Sequence, residues 1–199
     1  MKTKWPANRT VNIVCHGHSV PSGYFMTPVV DTFNSYPHLL HLALKKKYPF
    51  AVINVLVTAI GGENSIDGAK RFKKDVLALS PDAVTIDYSL NDRSLSFEKA
   101  AKAWTNMIKA AKAKKVKVIL LSPTADLRED PRDKKTPLYL HSSQVRGLAR
   151  KFNTGFVDSL GQYRKIAKAG GKINRYLSHM KHPNKKGHQL VAKELLKWF

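Results

Sequence analysis

The stretch Val11-Asn12-Ile13-Val14-Cys15-His16-Gly17-His18-Ser19 decides how the rest of the chain is read. Val11–Cys15 is a short apolar, β-branched run, and it stops abruptly in a Gly-His-Ser turn. A run of this kind fits a strand buried on both faces of a parallel sheet. Similar runs follow at Ala51–Val57, Ala83–Tyr88 and Val116–Leu121, with a weaker fifth at Gly155–Val157. The segments between them read as helices. Pro37, after Ser35 and Tyr36, suits a first helical position and opens His38–Lys47. Residues 97–114 keep Ala101, Trp104, Ile108 and Ala111 on one face. Asn184 is a good N-cap for a last helix that buries Leu190, Val191 and Leu195, with Trp198 as a further candidate. Strand–helix alternation predicts a parallel sheet covered on both faces. The expected fold is therefore an α/β three-layer sandwich, flavodoxin-like, with a central parallel sheet of about five strands. No repeat, low-complexity tract or linker divides the chain, so residues 1–199 are expected to form one domain.

Composition narrows the function classes. The single cysteine, Cys15, excludes an internal disulfide, and its place at the end of an apolar run predicts a buried, inert thiol. No apolar run is long enough to predict a transmembrane helix. The opening MKTKWPANRT lacks the apolar core of a secretory signal. The expectation is a soluble protein, cytoplasmic if that start is native and exported if a leader has been removed. Thirty-five Lys and Arg against 14 Asp and Glu give a net charge of +21. Such a field attracts an anionic polymer or surface. No helix-turn-helix, zinc-finger or RNP signature accompanies it, so no specific nucleic-acid partner is predicted.

In a parallel α/β sheet the ligand crevice lies beyond the carboxyl ends of the strands. The first strand runs into Gly17-His18-Ser19. The second runs into Gly61-Gly62-Glu63-Asn64-Ser65, the third into Ser89-Leu90-Asn91-Asp92, and the fourth into Ser122-Pro123-Thr124. A hydroxyl nucleophile needs a base, and the oxyanion it creates needs preplaced donors. Ser19 supplies the hydroxyl, and Gly62 a backbone N–H with no side chain to block approach. Asn91 supplies a side-chain amide, and His182 a candidate base just before the last helix. Tyr24 and Phe25, in the segment Val20–Pro28, are candidates to wall a substrate site.

These blocks resemble the SGNH (GDSL-like) hydrolases: Gly17-His18-Ser19 for G-D-S, Gly62 after the second strand, Ser89-Leu90-Asn91-Asp92 for G-x-N-D, and His179-Met180-Lys181-His182-Pro183 for D-x-x-H-P. The tail through Gly187 and His188 is similar to the family's closing block. The resemblance spans nearly the whole chain in the right order. It implies a serine esterase acting through an acyl-serine intermediate, without a cofactor, on a small-molecule or carbohydrate ester. Carbohydrate O-acetyl groups and short-chain lipid esters both fit. It implies Ser19 as nucleophile, His182 as base, and the Ser19 amide, Gly62 and Asn91 as oxyanion donors.

Three positions depart from the pattern. His18 stands where the family has Asp, Ser89 where it has Gly, and His179 where it has the triad acid. A triad acid holds the imidazole tautomer and stabilises the imidazolium, and a neutral His179 does the second poorly. Another carboxylate would have to substitute, or a backbone carbonyl orient His182 in a Ser–His dyad; failing both, the protein is a weak or inactive basic binding module on this fold. A metal site is the sharper alternative, with His16, His18, His179 and His182 as ligands if their loops meet. His16 and His18 alternate along an extended segment, which argues that their side chains diverge.

Overall fold

The computed structural model describes residues 1–199. Five strands form one sheet: β1 (Thr10–Gly17), β2 (Val52–Val57), β3 (Ala83–Asp87), β4 (Lys117–Leu121) and β5 (Gly155–Val157). Their order is β2-β1-β3-β4-β5 and every pairing is parallel. This is the flavodoxin-like order. The chain winds outward from β1 to β2, then returns to place β3 on the other side of β1. The two connections leave on opposite faces there, and a crevice opens between the carboxyl ends of β1 and β3.

Period-two alternation in the strands sorts the core into two apolar clusters, one on each face. Ile13, Cys15, Ile119 and Leu121 point to the first face, where they meet Leu40, Leu44, Val191 and Leu195. These belong to α2 (Tyr36–Lys47) and α7 (Lys185–Leu196), which pack on each other, with α6 (Ser159–Lys168) beside α7. Val14, Val84, Ile86 and Leu120 point to the second face, against Trp104, Met107 and Ile108. These three belong to α4 (Phe97–Ala113), which lies between α3 (Ser65–Arg71) and α5 (Pro137–Phe152). The expected sandwich is present, with element bounds within two residues of those read from sequence.

Two burial expectations are corrected. Trp198 is half exposed and Leu190 only partly buried. Trp198 lies beyond the end of α7 and rests its ring edge against Gly155, so it covers the sheet rim and not the core. The helices that carry weaker periodicity are started by caps. The Asn64 side chain accepts from Ile66 N and Asp67 N, Thr136 from Tyr139 N, and Asp158 from Gly161 N. Each satisfies donors that a helix N-terminus leaves unpaired.

Asp92 shows how the third strand end is fixed. Its buried carboxylate accepts from Trp104 Nε1 at 2.7 Å and from Ser65 N at 2.8 Å. One side chain thereby joins the β3 exit to α4 and to the start of α3.

Burial also sets a pH dependence of stability. His16 is pulled down to about 4, chiefly by burial, and His188 to about 3 for the same reason. Both folded values lie below the ordinary imidazole value of about 6.5. As pH falls below that value the unfolded chain takes up protons that the folded chain refuses, so stability is present above it and lost on acidification. The thermal midpoint is expected to fall as pH drops from 7 to 4. His16→Gln, which removes one of the two groups, should show a shallower fall by calorimetry; an identical slope would contradict the assignment.

Candidate active site

The β1 exit is built for a sharp turn. A Cβ at Gly17 would lie 2.5 Å from the Asp87 carbonyl and 2.8 Å from Pro21, so only glycine fits. His18 then caps a single helical turn, α1 (Ser19–Ser22), with its Nδ1 accepting Val20 N–H at 3.2 Å. Gly23 (φ +89°) ends the turn and Tyr24 N–H returns to Ser19 O at 3.0 Å. Ser19 is held, buried, at the floor of the crevice. As the first residue of a helix, its own N–H has no intrahelical acceptor.

His182 arrives from the far end of the sequence. Its loop is pinned by Ser178 N–H to His182 O at 2.9 Å and by Asn184 Nδ2 to Arg175 O at 2.9 Å. His182 Nε2 lies 3.1 Å from Ser19 Oγ, and His182 Nδ1 lies 2.8 Å from Phe25 O. A carbonyl can only accept, so Nδ1 carries the proton and Nε2 presents a lone pair to the serine hydroxyl. Burial lowers the proton affinity of His182, with the Phe25 carbonyl opposing and Lys181, His179 and His18 adding to the fall.

The carbonyl that orients His182 is itself fixed. The Phe25 ring stacks on His188 at 5.4 Å and 21°. His188 is fully buried and its Nδ1 accepts Tyr36 N–H at 3.1 Å, locking it to the start of α2. Phe25 therefore contributes through its backbone as well as its ring, and sequence offers no signal for such a carbonyl. Tyr24 stands 6.0 Å from His182, ring to ring.

His179 does not reach the place left by the triad acid. It is exposed, its ring centre is 6.0 Å from that of His182, and its side chain makes no hydrogen bond to it. His16 points to the opposite face of the sheet, where Nδ1 meets Thr58 Oγ1 at 3.0 Å and Nε2 meets Tyr88 Oη at 3.0 Å. Tyr88 in turn donates to Glu63, which Arg71 grips through two bonds. The four histidines do not converge, and no three His, Cys, Asp or Glu side chains are grouped to hold a metal.

The second strand end is sewn to the first, and the third to the second. Ile60 N–H donates to Gly17 O at 3.0 Å, and Asn91 Nδ2 to Glu63 O at 2.9 Å. That bond uses one of the two amide hydrogens of Asn91. Gly62, at φ +81°, has open space around its Cα and an N–H engaged by no protein acceptor. Cys15, expected to be inert, is fully buried, and burial pushes its thiol up to about 12. The residue sequence reasoning missed is Asp87, the buried carboxylate that ends β3. Its Oδ2 accepts from Tyr36 Oη at 3.3 Å, and its Oδ1 lies 3.5 Å from His18 Nε2. An acidic residue closing an otherwise apolar strand was the available clue.

The geometry makes His182 a neutral acceptor near pH 7. Its ring protons, followed by NMR, should titrate below the ordinary imidazole value of about 6.5. A midpoint at or above that value would contradict the buried placement.

Residues 15–190 match the model of the GDSL-like lipase/acylhydrolase family. No curated protein matches the chain. Among solved structures, it is similar to the acetylxylan esterase Axe2 of Geobacillus stearothermophilus, with a TM-score of 0.81 and 19% identity over 99% of this chain and 95% of that one. It is also similar to LAE5, an α/β hydrolase from the metagenome of Lake Arreo, with a TM-score of 0.78 and 19% identity over 94% of each chain. At these identities the likeness speaks for the fold, while the family match spans most of the sequence. With Ser19 and His182 meeting at the mouth of a flavodoxin-like sheet, the chain belongs to the GDSL-like lipase/acylhydrolase family.

Proposed function

We propose that the protein is a serine esterase that cleaves carboxylic esters through an acyl-serine intermediate. The observation that carries this reading is the contact of Ser19 Oγ with His182 Nε2 at 3.1 Å while His182 Nδ1 is held by Phe25 O at 2.8 Å. Ser19 attacks the acyl carbon and its proton passes to Nε2. The resulting imidazolium keeps its Nδ1–H on the carbonyl, and its Nε2–H then protonates the leaving alkoxide. A water repeats the sequence to release the acid. The carbonyl does half of what a triad carboxylate does: it holds tautomer and orientation, and offers a dipole where a carboxylate would offer a full charge. The Ser19 N–H, Gly62 N–H and the free amide hydrogen of Asn91 are the proposed oxyanion donors.

The rim of the site bears on the substrate. Met26, Val29, Val30, Ile60, Leu127 and Met180 are all exposed at the loop tips. Leu127 N–H bonds Met180 O beside His182, and Gly61 packs on the Tyr24 ring beside Ile60. Exposed apolar side chains on these loops favour an ester with an apolar portion, such as a short acyl chain longer than acetyl. The net charge of +21 favours an anionic substrate or surface. An acetylated carbohydrate is the second reading, favoured by the acetylxylan esterase among the similar structures. Relative kcat/KM on p-nitrophenyl acetate, butyrate and octanoate and on acetylated xylo-oligosaccharide separates the two.

Ser19→Ala is expected to abolish hydrolysis of short acyl esters and labelling by a fluorophosphonate, with little change in thermal midpoint. Retention of most activity would overturn the assignment of the nucleophile.

Asn91→Ala is expected to lower kcat far more than it raises KM. Loss of one oxyanion donor typically costs about 3 kcal/mol, on the order of a hundredfold in rate. Unchanged turnover with a raised KM would make Asn91 a substrate-binding residue instead.

A further inference from the structure

Ser19 Oγ has two imidazole neighbours. His182 Nε2 is one; the other is His18 Nδ1, at 3.4 Å. Behind His18 stands a buried carboxylate, Asp87, with Oδ1 3.5 Å from His18 Nε2. Carboxylate, imidazole and serine thus occur in the order of a catalytic triad, but on the side of the nucleophile's own turn. We propose that His18, backed by Asp87, is a second catalytic base for Ser19, and that this pair houses the acid missing beside His182. The inference rests on Ser19 being the nucleophile.

The tautomer follows from the contacts. Val20 N–H donates to His18 Nδ1 at 3.2 Å, so that nitrogen carries no proton. Neutral His18 therefore holds its proton on Nε2, the atom that faces Asp87. The Nδ1 lone pair is the part turned toward Ser19. The Nε2–Asp87 approach is too long for an aligned hydrogen bond in the resting protein, and contacts of this kind commonly tighten when charge develops. No Lys or Arg pairs with Asp87; its contacts are the Tyr36 hydroxyl and His18. A buried carboxylate without a cation is costly, and a proton arriving on His18 supplies one. The other charged and titratable groups around the pair are His182 across Ser19, Asp92 at the β3 exit, and the buried Cys15 beneath Asp87.

A capping role by itself requires neither feature. Asn, Asp or Ser at position 18 would accept Val20 N–H as well, and would need no buried carboxylate behind it.

In this arm the Ser19 Oγ–acyl carbon bond forms, and the carbonyl π pair moves to oxygen. The Oγ proton passes to His18 Nδ1, which releases Val20 N–H. The imidazolium pairs through Nε2–H with Asp87. On collapse the carbon–alkoxide bond breaks and the alkoxide leaves with the Nδ1 proton. His182, nearer and better oriented, carries the larger flux.

The test uses variants of the full chain with p-nitrophenyl butyrate. His182→Ala is expected to retain a rate on the order of tenfold above Ser19→Ala, below the full gain of a well-placed base. Adding His18→Asn, which keeps a side-chain acceptor for the Val20 cap, or Asp87→Asn, should bring the rate down to the Ser19→Ala level. If the double variants do not fold, His18→Asn and Asp87→Asn singly should lower kcat severalfold at unchanged KM and unchanged thermal midpoint. The inference is overturned if His182→Ala is as inactive as Ser19→Ala. It is equally overturned if its residual rate survives His18→Asn, or if both single variants keep the parent kcat. Failure of the nucleophile assignment reads differently, as activity and fluorophosphonate labelling that survive Ser19→Ala.

Discussion

The 2.8 Å bond from His182 Nδ1 to the Phe25 carbonyl is the contact on which the rest of the site depends. A neutral imidazole has one proton and two nitrogens. If the proton sat on Nε2, His182 would donate to the Ser19 oxygen and keep no lone pair there to take its proton, so the 3.1 Å contact between them would carry no base. An acceptor placed at Nδ1 removes that possibility. In most sites of this logic the acceptor is a carboxylate; here it is a main-chain oxygen, in a loop that the fold has to hold still.

Holding it requires a closed circuit of contacts. The Phe25 ring lies on His188, His188 takes the amide of Tyr36, the Tyr36 hydroxyl meets Asp87, Asp87 faces His18, and His18 touches Ser19. His182 closes the path back to Phe25. Six of these positions come from the segment that follows β1, from α2 and from the C-terminal block, and Asp87 comes from β3. The sheet order makes this possible, because β1 and β3 are neighbours at the point where the winding reverses. The carboxylate on β3 thereby lands beside the serine's turn and away from the outer nitrogen of His182. The chain keeps a buried acid, a base and a hydroxyl in one crevice, connected differently from a single linear triad.

Part of the positive charge of the molecule lies far from this centre. A cavity of about 820 Å³ lies at the opposite end of the sheet and is lined by Lys2, Lys114, Lys115 and Lys117 among others. The catalytic end presents apolar loop tips with Arg128 and Lys181 beside them. Burial lowers the proton affinity of His182 beside Ser19, as it does for His16 and His188 elsewhere in the core.

The sequence by itself determined the architecture, because strand burial and helix amphipathicity are written as local periodicities. Val11–Cys15, Ala83–Tyr88 and residues 97–114 could be assigned from their own composition, and Asn184 from capping chemistry. It also singled out Ser19, Gly62, Asn91 and His182, since each is a distinctive residue at a strand end or before the last helix. Tertiary structure alone decided what completes the pair. A carbonyl is present in every residue, so nothing in Phe25 marks its oxygen as the partner of a histidine 157 positions away. His179 has the right spacing, three residues before His182, yet it lies exposed, because spacing along a loop does not determine which way a side chain turns. Asp87 reads as the end of a strand until β1 is laid beside β3, and only that pairing brings its carboxylate to His18.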